Sequence, residues 1–333
     1  MSLCRIRKYS EIFRTYFFVQ IILRYIMQKL IITITFALIY ICSSTNSFGQ
    51  NVIASDIDNF WNAHDKISVE KDYEEQIKLI NDLYINKGTD GLKAIMQTRR
   101  YTDKQYVDAI NNYPKFWQSI RKNTNKAKSF AKEIEKGVAK LREIYPELKP
   151  AKIYFTIGVF RTPGTTMDGK VLIGSELALS DENVDTSEFP KNFAGLLPYF
   201  KSNPIKDIIF LNVHEFVHTQ QKTAIGSELL TQTMREGIAE FVTVKALNMK
   251  SPTPAIEFGN ANRLKIKYSF TKEMFSTYYE HWLWNNFDNQ FKMRDLGYFV
   301  GYDIAEKYYD KSFDKNKAIK ELIDLDLQNN RSV

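Results

Sequence analysis

From Ile208 to Gln221 the chain reads Ile-Ile-Phe-Leu-Asn-Val-His-Glu-Phe-Val-His-Thr-Gln-Gln, and no other stretch restricts the fold so strongly. It spends two of only four histidines in 333 residues. In a helix, His214 and His218 project from one face, one above the other. Two imidazole nitrogens at that spacing can share a tetrahedral zinc ion. Glu215, about 100° further round the axis, is placed to reach a metal-bound water rather than the metal. Ile208, Ile209, Phe210, Leu211, Val213, Phe216 and Val217 make the helix apolar almost all round, so it is expected to be buried. Buried His, Glu and His need compensation, because unpaired polar groups there are costly. A zinc ion supplies it.

Two ligands leave a third to be found. Eighteen residues after His218 comes Arg235-Glu236-Gly237-Ile238-Ala239-Glu240-Phe241, with Glu236 and Glu240 on one face of a second helix. H-E-x-x-H followed by a helix carrying E-G-x-A-E resembles the gluzincin metallopeptidases. That resemblance implies that Glu236 is the third zinc ligand and that Glu240 holds His214 in place. The second assignment suits the habit of metal-bound histidines of giving their other N–H to a carboxylate. The reverse assignment, with Glu240 as ligand, stays open. Gly237 is expected where two helices come close.

The first 49 residues do not read as part of the fold. Residues 1–26 are basic and aromatic; then Met27-Gln28-Lys29 precedes the apolar run Leu30–Ile41, and Ser47 and Gly49 stand at −3 and −1 before Gln50. That is the order of a signal peptide, with Met27 the expected start of translation. The apolar run is short of the roughly 20 residues of a membrane span, although an uncleaved anchor remains the alternative. Cys42 lacks the small residues of a lipobox before it. The chain has 46 Lys+Arg and 39 Asp+Glu; residues 1–49 carry six and one of these, leaving 40 and 38. The basic character belongs mostly to the leader and gives no argument for nucleic acid. Both cysteines, Cys4 and Cys42, lie there too, so the mature chain has neither a disulfide nor a thiolate ligand. Residues 50–333 are ample for a self-sufficient core.

Apolar residues at helical spacing run through 55–145, with Thr102 as a cap before Asp103 and Pro114 as a break. Lys126, Lys128, Lys132, Lys136 and Lys140 make a solvated face, and His64 is read as structural or exposed. The composition changes at Pro150. Lys152–Phe160 reads as a strand, Thr162–Gly169 as a loop, and Lys170–Leu179 as a second strand. A small sheet over about 152–178 thus precedes the zinc helix, and residues 180–204 form a polar connection, a candidate rim for the cleft. In gluzincins an edge strand binds extended substrate through its main chain, which by resemblance makes Val171–Ala178 the candidate edge.

Downstream, Phe275, Tyr278, Tyr279, His281, Trp282, Trp284 and Phe287 are read as core and cleft wall. In Leu296-Gly-Tyr-Phe-Val-Gly-Tyr302 a helix would pair Gly297 with Gly301 and Tyr298 with Tyr302. A tyrosine hydroxyl near the metal would steady an oxyanion, a role gluzincins give to a downstream Tyr or His; Tyr298 and Tyr302 are the candidates, and His281 the rival. With the zinc helices and Tyr113-Pro-Lys-Phe-Trp117, this segment also resembles predicted bacterial zinc proteases related to gliding-motility lipoprotein B. The expectation is a mainly helical α+β chain of zincin-like fold. It comprises a leader over 1–49, a helical region over 50–150 and a catalytic region over 151–333, which can pack as one domain with 50–150. Its expected activity is exported zinc metallopeptidase, acting on peptide or protein, with a membrane link only through an uncleaved leader. A cell-envelope binding or assembly protein that keeps the fold without turnover is the alternative, although every catalytic group is present. A purely structural zinc site is disfavoured, since Glu215 would have no part in it.

Overall fold

Local capping chemistry sets the start of several helices in the first half of the chain. In the computed structural model, which describes residues 51–222, 228–285 and 289–327, strand β1 (Val52–Ile53) leads into α1 (Ser55–Ile67). The Asp72 side chain accepts from the Glu75 N–H to begin α2 (Tyr73–Ile80), and Thr89 accepts from Leu92 to begin α3 (Asp90–Arg99). Thr102 and Gln105 form a reciprocal capping box at the start of α4 (Asp103–Asn112). Pro114 opens α5 (Pro114–Thr124), where its missing N–H costs nothing. After α6 (Ala131–Ile144) the chain enters the sheet. Phe60, Tyr84, Tyr106, Phe116 and Trp117 are fully buried and form the aromatic centre of this helical half. The expected leader lies outside the described residues, and Gly49–Val333 is one compact unit.

The sheet has four strands in the order β1-β2-β4-β3, with β2 (Lys152–Thr156), β3 (Gly164–Met167) and β4 (Lys170–Gly174). β1 and β4 run parallel to β2, and β3 runs antiparallel to β4. Two expectations are corrected here. The segment Thr162–Gly169 is not a loop but contains β3, and Val171–Ala178 is not an edge. Residues 170–174 are interior strand, and Ser175–Ala178 turn into a short buried helix, α7. The signal lay in Asp168-Gly169, which separates the paired residues Met167 and Lys170 and has φ of 48° and 68°. Two consecutive left-handed residues make the tight turn that joins antiparallel strands, and Asp-Gly is its favoured sequence. Thr165 and Thr166 then supply the β-branched residues of an edge strand.

The two faces of this sheet carry different helices. Gly91 on α3 sits so tightly on Tyr154 that an added Cβ would lie 2.1 Å from the ring. On β3, Gly164 abuts Glu215, whereas Met167, of opposite parity, accepts from the Thr98 hydroxyl of α3 at 3.0 Å. So α3 covers one face, and α9 (Ile208–Gln220) covers the other. The connection between them holds α8 (Leu196–Lys201). α6 backs α9 closely: a Cβ on Gly137 would meet Val213 at 2.8 Å. The fold is therefore α+β and mainly helical, with its sheet ahead of the histidine helix in the chain.

The second half is a helical stack: α10 (Leu229–Leu247), α11 (Pro254–Glu273), α12 (Leu296–Lys311) and α13 (Lys315–Ile323). α10 and α12 touch backbone to backbone. An added Cβ on Gly237 would lie 2.2 Å from the Gly301 carbonyl carbon, and one on Gly301 would lie 2.1 Å from the Thr233 carbonyl oxygen. No rotamer change relieves a clash with main chain. Gly301→Ala is therefore expected to destabilise the protein by about 3 kcal/mol, at the upper end of ordinary overpacking. Chemical denaturation checks this, and an unchanged midpoint would contradict the close crossing.

Candidate metal centre

Ile209, Leu211 and Thr219 of α9 are half-buried and the rest of the helix is buried, its histidines and glutamate included. His214, Glu215 and His218 are 6%, 8% and 7% exposed; on α10, Glu236 and Glu240 are 4% and 2% exposed. Such a set is tolerable only if its members satisfy one another. His214 Nε2 lies 3.1 Å from His218 Nε2, and Glu236 Oε2 lies 3.2 Å from His218 Nε2 and 3.5 Å from His214 Nε2. With bonds of about 2.0–2.1 Å, a tetrahedral zinc centre separates its ligand atoms by roughly 3.3 Å. The three observed separations straddle that edge length. His214, His218 and Glu236 thus form a buried group able to hold a metal ion.

The far side of each ligand is also engaged. His214 Nδ1 is 3.1 Å from Glu240 Oε2, an ion-pair distance without hydrogen-bond alignment, while Glu240 Oε1 accepts a hydrogen bond from the Ser251 hydroxyl. His218 Nδ1 is 2.7 Å from Gln221 Oε1, and the Gln221 amide donates to the Arg235 carbonyl at 3.0 Å. The Arg235 guanidinium in turn reaches Glu236 Oε1 at 3.2 Å. Holding both Nδ1 atoms this way leaves both Nε2 atoms for a metal. Glu236 lies with the two Nε2 atoms and Glu240 behind His214, the arrangement the resemblance implied. Gln221, Arg235 and Ser251 were not singled out from the sequence. Gln221 was detectable in principle, since it follows His218 by three residues. Ser251 arrives across a chain reversal that no local pattern encodes.

The carboxylates around His214 favour its protonated form. Burial lowers the pKa of His214, but the Glu236 and Glu240 carboxylates, helped by Glu215, outweigh it and push the value up to about 10. Burial raises that of Glu236, yet His218 and His214, with Arg235, hold it well below the ordinary carboxylate range. A raised histidine contributes stability that is fully present below its unfolded pKa and lost as pH rises through about 10. Metal binding must displace that proton.

Glu215 stands outside the ligand group and lies against the edge strand: a Cβ on Gly164 would be 2.7 Å from Glu215 Oε1. Of the two candidate tyrosines, Tyr298 reaches the centre. Its ring stacks on His214 at 6.1 Å between centroids, and the Glu236 charge acts on its hydroxyl. Burial, and then the Glu236 charge, raise its pKa well above the usual range, so it remains a donor. Tyr302, one turn along, packs edge-on against Phe241 instead. His281 pairs with Glu273 at 3.0 Å, on the half-exposed segment after α11. Comparison with protein-family models, curated proteins and solved structures finds no match to this chain.

Glu236→Gln is expected to abolish near-stoichiometric metal binding, whereas Glu240→Gln weakens it by about 10- to 100-fold. For the wild type, affinity should climb about tenfold per pH unit between pH 6 and 8 as the His214 proton is displaced. Elemental mass spectrometry and chelator competition measure both. A greater loss in Glu240→Gln would exchange the two roles.

Proposed function

We propose that the chain is an exported zinc metallopeptidase of the gluzincin type, with a zincin-like fold, hydrolysing peptide bonds in a peptide or protein substrate. The observation that carries this reading is the separation of roles at one centre. Three ligand atoms sit at tetrahedral spacing, while a further carboxylate, Glu215, is adjacent but not among them. Two imidazoles and one carboxylate are the donor set of a catalytic zinc with an open fourth position. When bound, the zinc ion supplies Lewis acidity that sharpens both the attacking water and the scissile carbonyl.

The residues of the chain do the rest. Glu215 accepts the proton of the attacking water and returns it to the leaving amine. The Tyr298 hydroxyl, held beside Glu236 and His214, donates to the oxygen on which negative charge develops. The edge strand orients the substrate. The Gly174 N–H donates to the Pro163 carbonyl, and Gly164 is registered on Ile173. Alternation then turns the main-chain groups of Gly164 and Thr166 outward, away from β4. Among the described residues no strand pairs with that edge, so an extended peptide can add to it. The Gly164 carbonyl already accepts from the Thr162 hydroxyl, which leaves Thr166 as the more open position.

Export rests on the order of charged, apolar and small residues in 1–49. Among the described residues no helix is long and apolar enough to cross a membrane. The reading as a binding or assembly protein without turnover loses support from the intact geometry, since neither the ligand group nor Glu215 is disrupted.

Glu215→Gln is expected to keep its metal and lose at least about a hundredfold in kcat, the usual worth of a general base. Tyr298→Phe should lose about a hundredfold in kcat with KM little changed, as for removal of an oxyanion donor. Cleavage of a peptide library, read by mass spectrometry, tests both. Absence of zinc-dependent cleavage by the wild type would leave the binding-protein reading.

A further inference from the structure

Away from the metal centre, the interior holds a carboxylate that the proposed chemistry does not use. Glu176, on α7, is fully buried. One of its oxygens accepts from the Gly158 N–H at 2.8 Å and the other from the Phe160 N–H at 3.1 Å. Among the described residues no lysine or arginine pairs with it, and the Tyr101 hydroxyl lies on the same side of Gly158 as its Oε1. A charge in such a place is expensive, and main-chain donors are what compensate it here.

Those donors belong to the strap 157–163, which links β2 to β3. The strap is shaped around the carboxylate. A Cβ at Gly158 would lie 2.8 Å from Glu176 Oε1, and one at Gly174 would lie 2.2 Å from the Thr162 carbonyl oxygen. Phe160 adopts φ of 62°, a conformation costly for a bulky residue. Its ring is held among Tyr113, Phe116, Trp117 and Phe189. Past Phe160, Thr162 takes a bond from Arg99 at 3.2 Å and gives one to the Gly164 carbonyl. Gly164 is the residue that abuts Glu215.

We infer that Glu176 is a positioning residue: it fastens the strap to the body of the protein and so fixes the edge strand against Glu215. The inference rests on the reading of Glu215 as the base and β3 as the substrate edge for its functional meaning, but not for its structural content. Both oxygens are needed, because two N–H groups approach two different atoms. An amide can satisfy one of them; its NH2 end confronts the other. Glu176→Gln keeps the volume and breaks half the clamp.

The test is amide hydrogen exchange on the full chain, wild type beside Glu176→Gln, with zinc content and peptide turnover measured on the same samples. Exchange across 157–167 is expected to accelerate by about tenfold or more, while 208–220 and 229–247 keep their wild-type rates. Zinc content should not change, and kcat should fall. Unchanged exchange across 157–167 would overturn the inference. Equal acceleration throughout the chain would also overturn it, by making Glu176 a general contributor to stability. If Glu176→Gln does not fold, Gly158→Ala disturbs the clamp from the strap side and must give the same local pattern; an undisturbed strap there overturns the inference as well. A wild type without peptidase activity would remove the catalytic reading and leave the exchange result to decide the clamp.

Discussion

The mutual compensation of four buried ionisable side chains underlies the organisation of this chain. His214, His218, Glu236 and Glu240 are each under a tenth exposed. Isolated, any one of them would cost several kcal/mol to bury. Together they form imidazole–carboxylate contacts at 3.1–3.5 Å, with Gln221, Arg235 and Ser251 reaching the outer atoms. This network requires α9 and α10 to lie side by side with a fixed rotation about each axis. The rotation of α10 is in turn fixed from behind, where Gly237 and Gly301 let α12 in to backbone contact. The same crossing brings Tyr298 over His214. Helix packing and electrostatics are therefore one problem here.

Substitutions in the helical stack and around the metal group should consequently couple. A Cβ at Gly301 displaces α12, and Tyr298 moves with it although its own side chain is intact. Residues that share neighbours in this way do not contribute additively. A loss of turnover from a glycine variant is then no evidence that the glycine touches substrate.

Much of this was legible in the sequence because it is periodic. The 3.6-residue repeat placed both histidines on one face and both glutamates on another, and it gave the helices around Phe60, Tyr106 and Trp117. Thr102 was legible as a cap and Pro114 as a break because both effects are local chemistry. What escaped was set by distant contacts. Ser175–Ala178 follows closely on the apolar run Val171–Ile173, yet it turns helical where Glu176 meets the Gly158 and Phe160 amides. The strand at 164–167 was hidden by its small, polar residues and was announced only by Asp168-Gly169. Tyr298 and Tyr302 are equivalent in sequence spacing, and only the crossing of α12 over α10 separates them.

The two halves of the site are built from different materials, and this explains why one is plain in the sequence and the other is not. The helices contribute side chains, whose identities are written in the chain. The sheet contributes main chain: the edge groups of Gly164 and Thr166, and the amides of Gly158 and Phe160. Main-chain groups carry no residue signature, so their placement shows only as constraints on what may stand nearby. Gly158, Gly164 and Gly174 are such constraints, each small because a carboxylate or a carbonyl occupies the space of its missing Cβ. Phe160 is another, a bulky residue kept at positive φ by the aromatic rings around it. A glycine there would relax the local backbone and also remove the ring that anchors the strap. The strained phenylalanine and the buried glutamate thus act on the same few residues from opposite sides, one by packing and one by charge, and the position of β3 follows from both.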